Sequence, residues 1–199
     1  MLTMIHQVIV VGAGPSGLLL SIMLAKENIH VQLVEASHEL DKNPRAAHYA
    51  PSAVYEFHRA GVIAEINEKG LHPDAVAWRT WQGELLGGMG MGKSMGRGDP
   101  KYPMVVLPLD QLDELLLAHL LELPNVEVFW RHKVVGIEHG ENEARIKVET
   151  PGGSTSMAAD FVLGCDGANS QIRRSLFGDL NYPGETLEQQ IIATNVWLK

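Results

Sequence analysis

Cysteine is almost absent from this chain of 199 residues: the one present, Cys165, excludes an intramolecular disulfide and suits a reducing compartment. There is no apolar run of about 18 residues, so no transmembrane helix is expected. The N-terminal apolar stretch has no basic flank and is interrupted by a glycine turn, so no signal peptide is expected either. Positive charge is scarce. Lys and Arg number 16 against 24 Asp and Glu, a formal net charge of −8 that argues against a nucleic-acid partner. These absences lead us to expect a cytoplasmic protein that engages neither membrane nor nucleic acid. What remains, 45% hydrophobic and 20% charged residues, is ordinary globular composition and enough chain for a sizeable core in one domain or one and a half.

The most informative stretch is VIVVGAGPSG at residues 8–17. Residues 8–11 form a continuous apolar run, as a strand buried on both faces requires. Gly12 permits a tight turn, Gly14 lets a pyrophosphate approach the backbone with no Cβ in the way, and Gly17 lets the next helix lie close on the strand. Pro15 and Ser16 open that helix, predicted over 15–28, whose N-terminus favours an anion. It is apolar nearly all round and should be buried. A parallel strand at 30–34 follows and delivers Glu35, whose carboxylate can accept hydrogen bonds from both ribose hydroxyls of an unphosphorylated adenosine. Strand, helix, strand and acid in that order predict a dinucleotide-binding βαβ unit, with FAD and NAD both open at this point.

Beyond Glu35 the polar stretch to residue 53 reads as a loop entering a short helix, capped by Ser52 and ended by Gly61. Residues 75–86 predict a small hairpin turning at Gln82 and Gly83. Residues 87–100, with six glycines and three methionines in fourteen positions, predict a mobile loop without helix or strand. An extended segment at 102–107 precedes a leucine-rich helix with its acids on the outer face. Short strands are expected at 126–130, 134–138 and 159–164, and ARIKVET at 144–150 alternates as a half-buried strand does, followed by a PGGS turn. A helix should begin near Ser170, and 191–198 has an apolar strand pattern.

CDGANSQIRR, at 165–174, decides between flavin and nicotinamide: an Asp-Gly turn at a strand end, followed by a helix start, brings a second backbone turn to the nucleotide site. With GAGPSG, Glu35 and Arg45, the segment DGANSQIR resembles the N-terminal part of the class A flavin-dependent monooxygenases, the p-hydroxybenzoate hydroxylase-like family, over nearly the whole chain. Asp166, Gly167, Ser170 and Arg173 are in register with that family's DGxxSxxR. The resemblance implies an α/β Rossmann-like FAD-binding fold with a parallel sheet. It implies a small β excursion and, at the C-terminus, the start of a substrate-domain sheet. The expected division is an FAD-binding domain over 1–178, with the hairpin and Gly/Met-rich loop inserted at about 75–100, and the first residues of a truncated substrate-binding domain over 179–199.

The same resemblance assigns the adenosine ribose to Glu35, the FAD to Arg45, whose fork of donors suits phosphate or ribityl oxygens, and a position near the pyrophosphate to Asp166, with Gly167 and Arg173 beside it. His48, three residues after Arg45, is a weak catalytic candidate as a donor to flavin or phenolate. The flavin-touching Gln or Arg of the family falls in register on Leu109, and Gln111 is close but out of phase. The family's third motif, GD before an Ala-rich helix, is absent, and Gly178 and Asp179 read as a turn. The implied activity is an FAD monooxygenase: NAD(P)H reduces the flavin, and oxygen gives a flavin hydroperoxide that hydroxylates an aromatic or enol-like small molecule. No metal is expected. A partner chain could supply the missing C-terminal half. The alternative is a non-catalytic FAD- or nucleotide-binding fragment, and an NAD-dependent dehydrogenase would leave Arg45 and the DG segment without a role.

Overall fold

The computed structural model describes residues 5–43, 45, 47–73, 75–90, 101–141, 143–179 and 188–189. They fall into two compact units, one built from 1–44 with 116–199 and the other from 45–115.

The first unit starts with β1 (Gln7–Val11), α1 (Pro15–Lys26) and β2 (His30–Val34). Valine, isoleucine and leucine fill both strands because both faces are covered. Ile9, Val10, Val31, Leu33 and Val34 are fully shielded from solvent, and so are Leu18 and, within 1%, Ile22 on α1. α1 stops two residues earlier than its apolar pattern suggests, because Asn28 takes a left-handed conformation (φ 62°) and its N–H turns back to the Ala25 carbonyl. One face of α1 is buried, most of the rest is half-covered and Ser16 and Lys26 are exposed, so it is less enclosed than its composition implies.

The second unit contains β3 (His48–Tyr49), α2 (Pro51–Ala60), α3 (Ile63–Lys69), β4 (Ala75–Arg79), β5 (Leu85–Gly90) and β6 (Val105–Val106). Ser52 does not cap α2: proline occupies the first helical position, Ala50 is the cap residue, and no side chain bonds to the end. Gly61 closes α2 at φ 78°, as expected. α3 is too short to show a period and was not expected. The hairpin forms from β4 and β5, but β5 reaches Gly90, so the first four residues of the Gly/Met-rich stretch are in a strand. Backbone pairing with Ala75–Trp78 holds glycines that have little strand propensity of their own. Residues 91–100 lie outside the described residues. Val54, Phe57, Ile66, Val105, Leu107 and Leu112 form this unit's apolar centre.

Helix α4 (Leu109–Leu121) carries the chain from the second unit into the first. Its acids do not all face outward: Asp113 is 4% exposed. After it come β7 (Val126–Phe129), β8 (Lys133–His139), β9 (Ala144–Thr150), β10 (Gly153–Ala159), β11 (Phe161–Gly164) and α5 (Gln171–Phe177). The alternation in ARIKVET is borne out residue by residue, with Ala144, Ile146 and Val148 inward. β10 was missed because Gly-Ser-Thr-Ser is polar, and the expected strand at 159–164 is split by a bend at Asp160. The strand pattern at 191–198 lies outside the described residues.

β11, β1, β2 and β7 form a parallel four-stranded sheet in that order. β10, β9 and β8 make an antiparallel sheet. Ile9, Val11 and Val34 from the first meet Val134, Ile146 and Val148 from the second and Ile172 from α5 in one core. Truncating one of the larger aliphatics here to alanine costs on the order of 2–5 kcal/mol. This is the α/β, Rossmann-like arrangement with a β excursion. It fixes four turns at the carboxyl edge of the parallel sheet.

Candidate functional site: the carboxyl edge of the parallel sheet

Ligands of open α/β sheets bind beyond the carboxyl ends of the strands, and here the sequence motifs converge on that edge. Gly12 follows β1 at φ 105° and donates its N–H to the Val34 carbonyl at 2.8 Å, so the glycine turn is sewn to the end of β2. A Cβ on Gly12 would lie 2.5 Å from the Cys165 carbonyl oxygen and 3.0 Å from Asp166 Cα. The glycine turn and the DG turn are therefore in direct contact, which only a glycine permits. Cys165 donates its N–H to the Val11 carbonyl at 2.8 Å, completing the seam. A Cβ on Gly17 would fall 1.9 Å from the Gly12 carbonyl oxygen, so α1 lies as close on the turn as its sequence predicts.

Gly14 is different. Its backbone is extended (φ −78°, ψ 178°), and a Cβ built there meets nothing within 4 Å. Packing does not require glycine at this position. It borders open space in front of an α1 N-terminus that has no side-chain cap and no acid in its first turn. Such an end is suited to an external anion. Glu35, half-buried, accepts from the Ala13 N–H through Oε2 and from the Ser37 N–H through Oε1, both at 2.8 Å. Each oxygen retains a lone pair for a ribose hydroxyl, and the two amides fix the carboxylate beside the glycine turn. The arrangement fits the adenosine diphosphate half of FAD: room at Gly14 for pyrophosphate and a held acceptor at Glu35 for the ribose.

Asp166 has a structural task. Its Oδ1 accepts from Ser170 Oγ at 2.6 Å, and its Oδ2 accepts from the Gln171 and Ile172 N–H groups at 2.6 and 3.1 Å. Ser170 Oγ in turn accepts from the Arg173 N–H at 3.0 Å, so Asp166 and Ser170 together cap α5. Gly167, at φ 80°, is exposed at the tip of the turn. Arg173 donates to the Ala168 carbonyl at 3.0 Å and braces the same turn. Burial, and then the Asp166 carboxylate, raise the Cys165 thiol above its usual range. Pro15 and Ser16 form the first turn of α1, where Ser16 is exposed.

Three predicted residues belong to the second unit. Arg45 is exposed, His48 is exposed in β3, and Gln111 is exposed in the first turn of α4. Next to His48, burial and then Asp113 and Asp110 push Tyr49 up to about 12. Sequence reading missed the Ala13 amide and the Cys165 carbonyl, both backbone groups that no motif letter marks. It also passed over Arg131 and His132, which follow β7. The positive φ of Arg131 leaves no trace in a non-glycine residue.

Set against known proteins, the chain matches the model of the FAD binding domain over residues 6–197. The chain belongs to the FAD binding domain family. It is 33% identical over 191 residues to para-nitrophenol 4-monooxygenase of Pseudomonas sp. (strain WBC-3), covering 96% of this chain and 46% of that protein. It is 34% identical over 197 residues to 6-hydroxy-3-succinoylpyridine 3-monooxygenase HspB of Pseudomonas putida (strain DSM 28022 / S16), covering 98% of this chain and 49% of that protein. Among solved structures, p-nitrophenol 4-monooxygenase PnpA from Pseudomonas putida DLL-E4 superposes with a TM-score of 0.80 at 31% identity over 86% of this chain and 43% of that one. The chain spans about half the length of the curated relatives it matches. Membership supports the resemblance drawn from GAGPSG, Glu35 and the DG segment. No helix among the described residues is long and apolar enough to cross a membrane.

Proposed function

We propose that this chain is the FAD-binding part of an FAD-dependent monooxygenase that hydroxylates a small aromatic or enol-like molecule with NAD(P)H and O2. The observation that carries the reading is the junction of the two motifs: Gly12 packs against Cys165 and Asp166 beside an open Gly14 and a fixed Glu35. A single Rossmann dehydrogenase unit has no use for that junction. The names of the relatives, monooxygenases of p-nitrophenol and of a hydroxypyridine, favour a hydroxylated aromatic ring as substrate class. Bound flavin would supply the redox chemistry with oxygen. The chain's own residues bind and orient: Gly14, Pro15 and Ser16 border the pyrophosphate, Gly12 and Gly17 let the turn and α1 pack closely enough to present that edge, and Glu35 holds the ribose. Asp166, Gly167 and Arg173 keep the DG turn in place against the glycine turn.

In this reading Arg45, Gln111 and the weaker candidate His48 keep the roles implied by the family resemblance. The division at residue 178, with a substrate-binding region beginning at 179, is part of the same proposal, as is a cytoplasmic location. So is a partner chain that supplies the C-terminal half. The alternative reading is an FAD- or nucleotide-binding protein without turnover of its own. Spectroscopy separates the two. A yellow protein whose NADPH consumption depends on oxygen and on a hydroxylated aromatic supports the enzyme. FAD binding without turnover supports the second reading, and a colourless protein that cannot be loaded with FAD refutes both.

A further inference from the structure

β2 and β7 run parallel with Val34 beside Phe129, and their continuation is sewn together past the strand ends. The Glu35 N–H donates to the Phe129 carbonyl, the His132 N–H to the Glu35 carbonyl and the Arg131 N–H to the Ser37 carbonyl, at 2.9, 2.8 and 2.8 Å. Arg131 therefore sits one strand beyond Glu35, on the side away from Gly14. Two further features single it out. Its φ is 58°, a left-handed conformation that costs an L residue other than glycine on the order of 1–2 kcal/mol. Its guanidinium also has no hydrogen-bond or ion-pair partner among the described residues. Of the described arginines, Arg59, Arg79, Arg145, Arg173 and Arg174 hold a carboxylate, carbonyl or amide partner and Arg45 has a contact of its own. Arg131 is exposed and makes no side-chain hydrogen bond or ion pair with a described residue.

We infer that Arg131 is a binding residue for the purine base of the bound dinucleotide, its planar guanidinium covering one face of the adenine. The inference rests on the reading of this edge as an FAD site. Neighbouring strands are about 4.8 Å apart, and Gly14, Glu35 and Arg131 follow the ends of the successive strands β1, β2 and β7 along the sheet edge. That is the order of pyrophosphate, ribose and base in an adenine nucleotide. A planar, weakly hydrated cation stacks on an aromatic ring, whereas a lysine ammonium offers only a point charge.

The test uses titration calorimetry of the 199-residue chain with ADP and with ribose 5-diphosphate, which lacks the base, for wild type, Arg131→Gly, Arg131→Lys and Glu35→Gln. Arg131→Gly removes the guanidinium and relieves the backbone, so its melting temperature should hold or rise while ADP affinity falls about 3- to 30-fold. Ribose 5-diphosphate should bind it as it binds wild type. Arg131→Lys should lose nearly as much ADP affinity as Arg131→Gly. Unchanged ADP affinity in Arg131→Gly overturns the inference, and so does an equal loss for both ligands, which would make Arg131 a phosphate contact. Failure of wild type to bind ADP overturns the FAD-site reading itself. Loss in Glu35→Gln alone leaves that reading standing and removes Arg131 from it.

Discussion

Replacing Gly14 and Gly17 separately by alanine should dissociate binding from folding. At Gly17 the new methyl would lie 1.9 Å from the Gly12 carbonyl oxygen and 3.3 Å from Cys165 Cβ, so α1 or the glycine turn must move by more than an ångström. Overpacking of that kind costs on the order of 1–3 kcal/mol, and more where backbone is struck. At Gly14 the methyl meets nothing, and φ −78°, ψ 178° suits alanine and the proline that follows. Gly14→Ala should therefore stabilise the fold by about 0.4–1 kcal/mol through the unfolded chain, raising the melting temperature by about 1–4 °C. The same methyl occupies the approach to the α1 N-terminus. FAD affinity should fall at least about tenfold, equivalent to 1.4 kcal/mol. Thermal denaturation by circular dichroism and flavin-fluorescence titration measure the two effects. Gly14→Ala that binds FAD as wild type does would refute the placement of pyrophosphate, and Gly14→Ala as unstable as Gly17→Ala would refute the steric argument.

Asp166→Ala removes the acceptor for two N–H groups and a hydroxyl at the start of α5, and should cost about 0.5–2 kcal/mol in urea unfolding. An unchanged midpoint would show that the cap is not formed. The Asp160 carboxyl is held below its usual range by the Gln7 and His6 N–H groups, and its stabilisation is present above the unfolded-state value and lost as pH falls through the lower folded one. Asp160→Asn should lack that acid limb in a plot of stability against pH. If the limb persists in the variant, another carboxylate is responsible. Because burial and Asp166 disfavour the Cys165 thiolate, iodoacetamide at pH 8 should modify Cys165 more slowly than it does glutathione. Equal rates would contradict the packing of Cys165 under the glycine turn.

The dinucleotide unit was legible because each of its steps depends on residue type. Apolar runs specify buried strands, Gly12 and Gly17 are demanded by contacts of 2.5 and 1.9 Å, and Glu35 directly follows the end of β2, as expected. ARIKVET was legible because one of its faces is buried and its period is two. β10 and the end of β5 were not, since Gly-Ser-Thr-Ser and Gly-Gly-Met-Gly become strands only through the partners that pair with them. Asp166 shows the limit at the site. The DG motif marks its importance, but only the folded structure shows that both carboxylate oxygens are taken up in capping α5. Arg131 was hidden because a left-handed arginine leaves no mark in the sequence.

The central claim is that the carboxyl edge of this sheet holds the adenosine diphosphate end of FAD through Gly14 and Glu35. Competition tests it most directly: protein loaded with FAD is titrated with ADP and, separately, with FMN while free flavin is followed by fluorescence, FMN release being corrected for its own emission. ADP should displace FAD, and FMN should leave it bound. Displacement by FMN with none by ADP would place the flavin end on this edge and contradict the account.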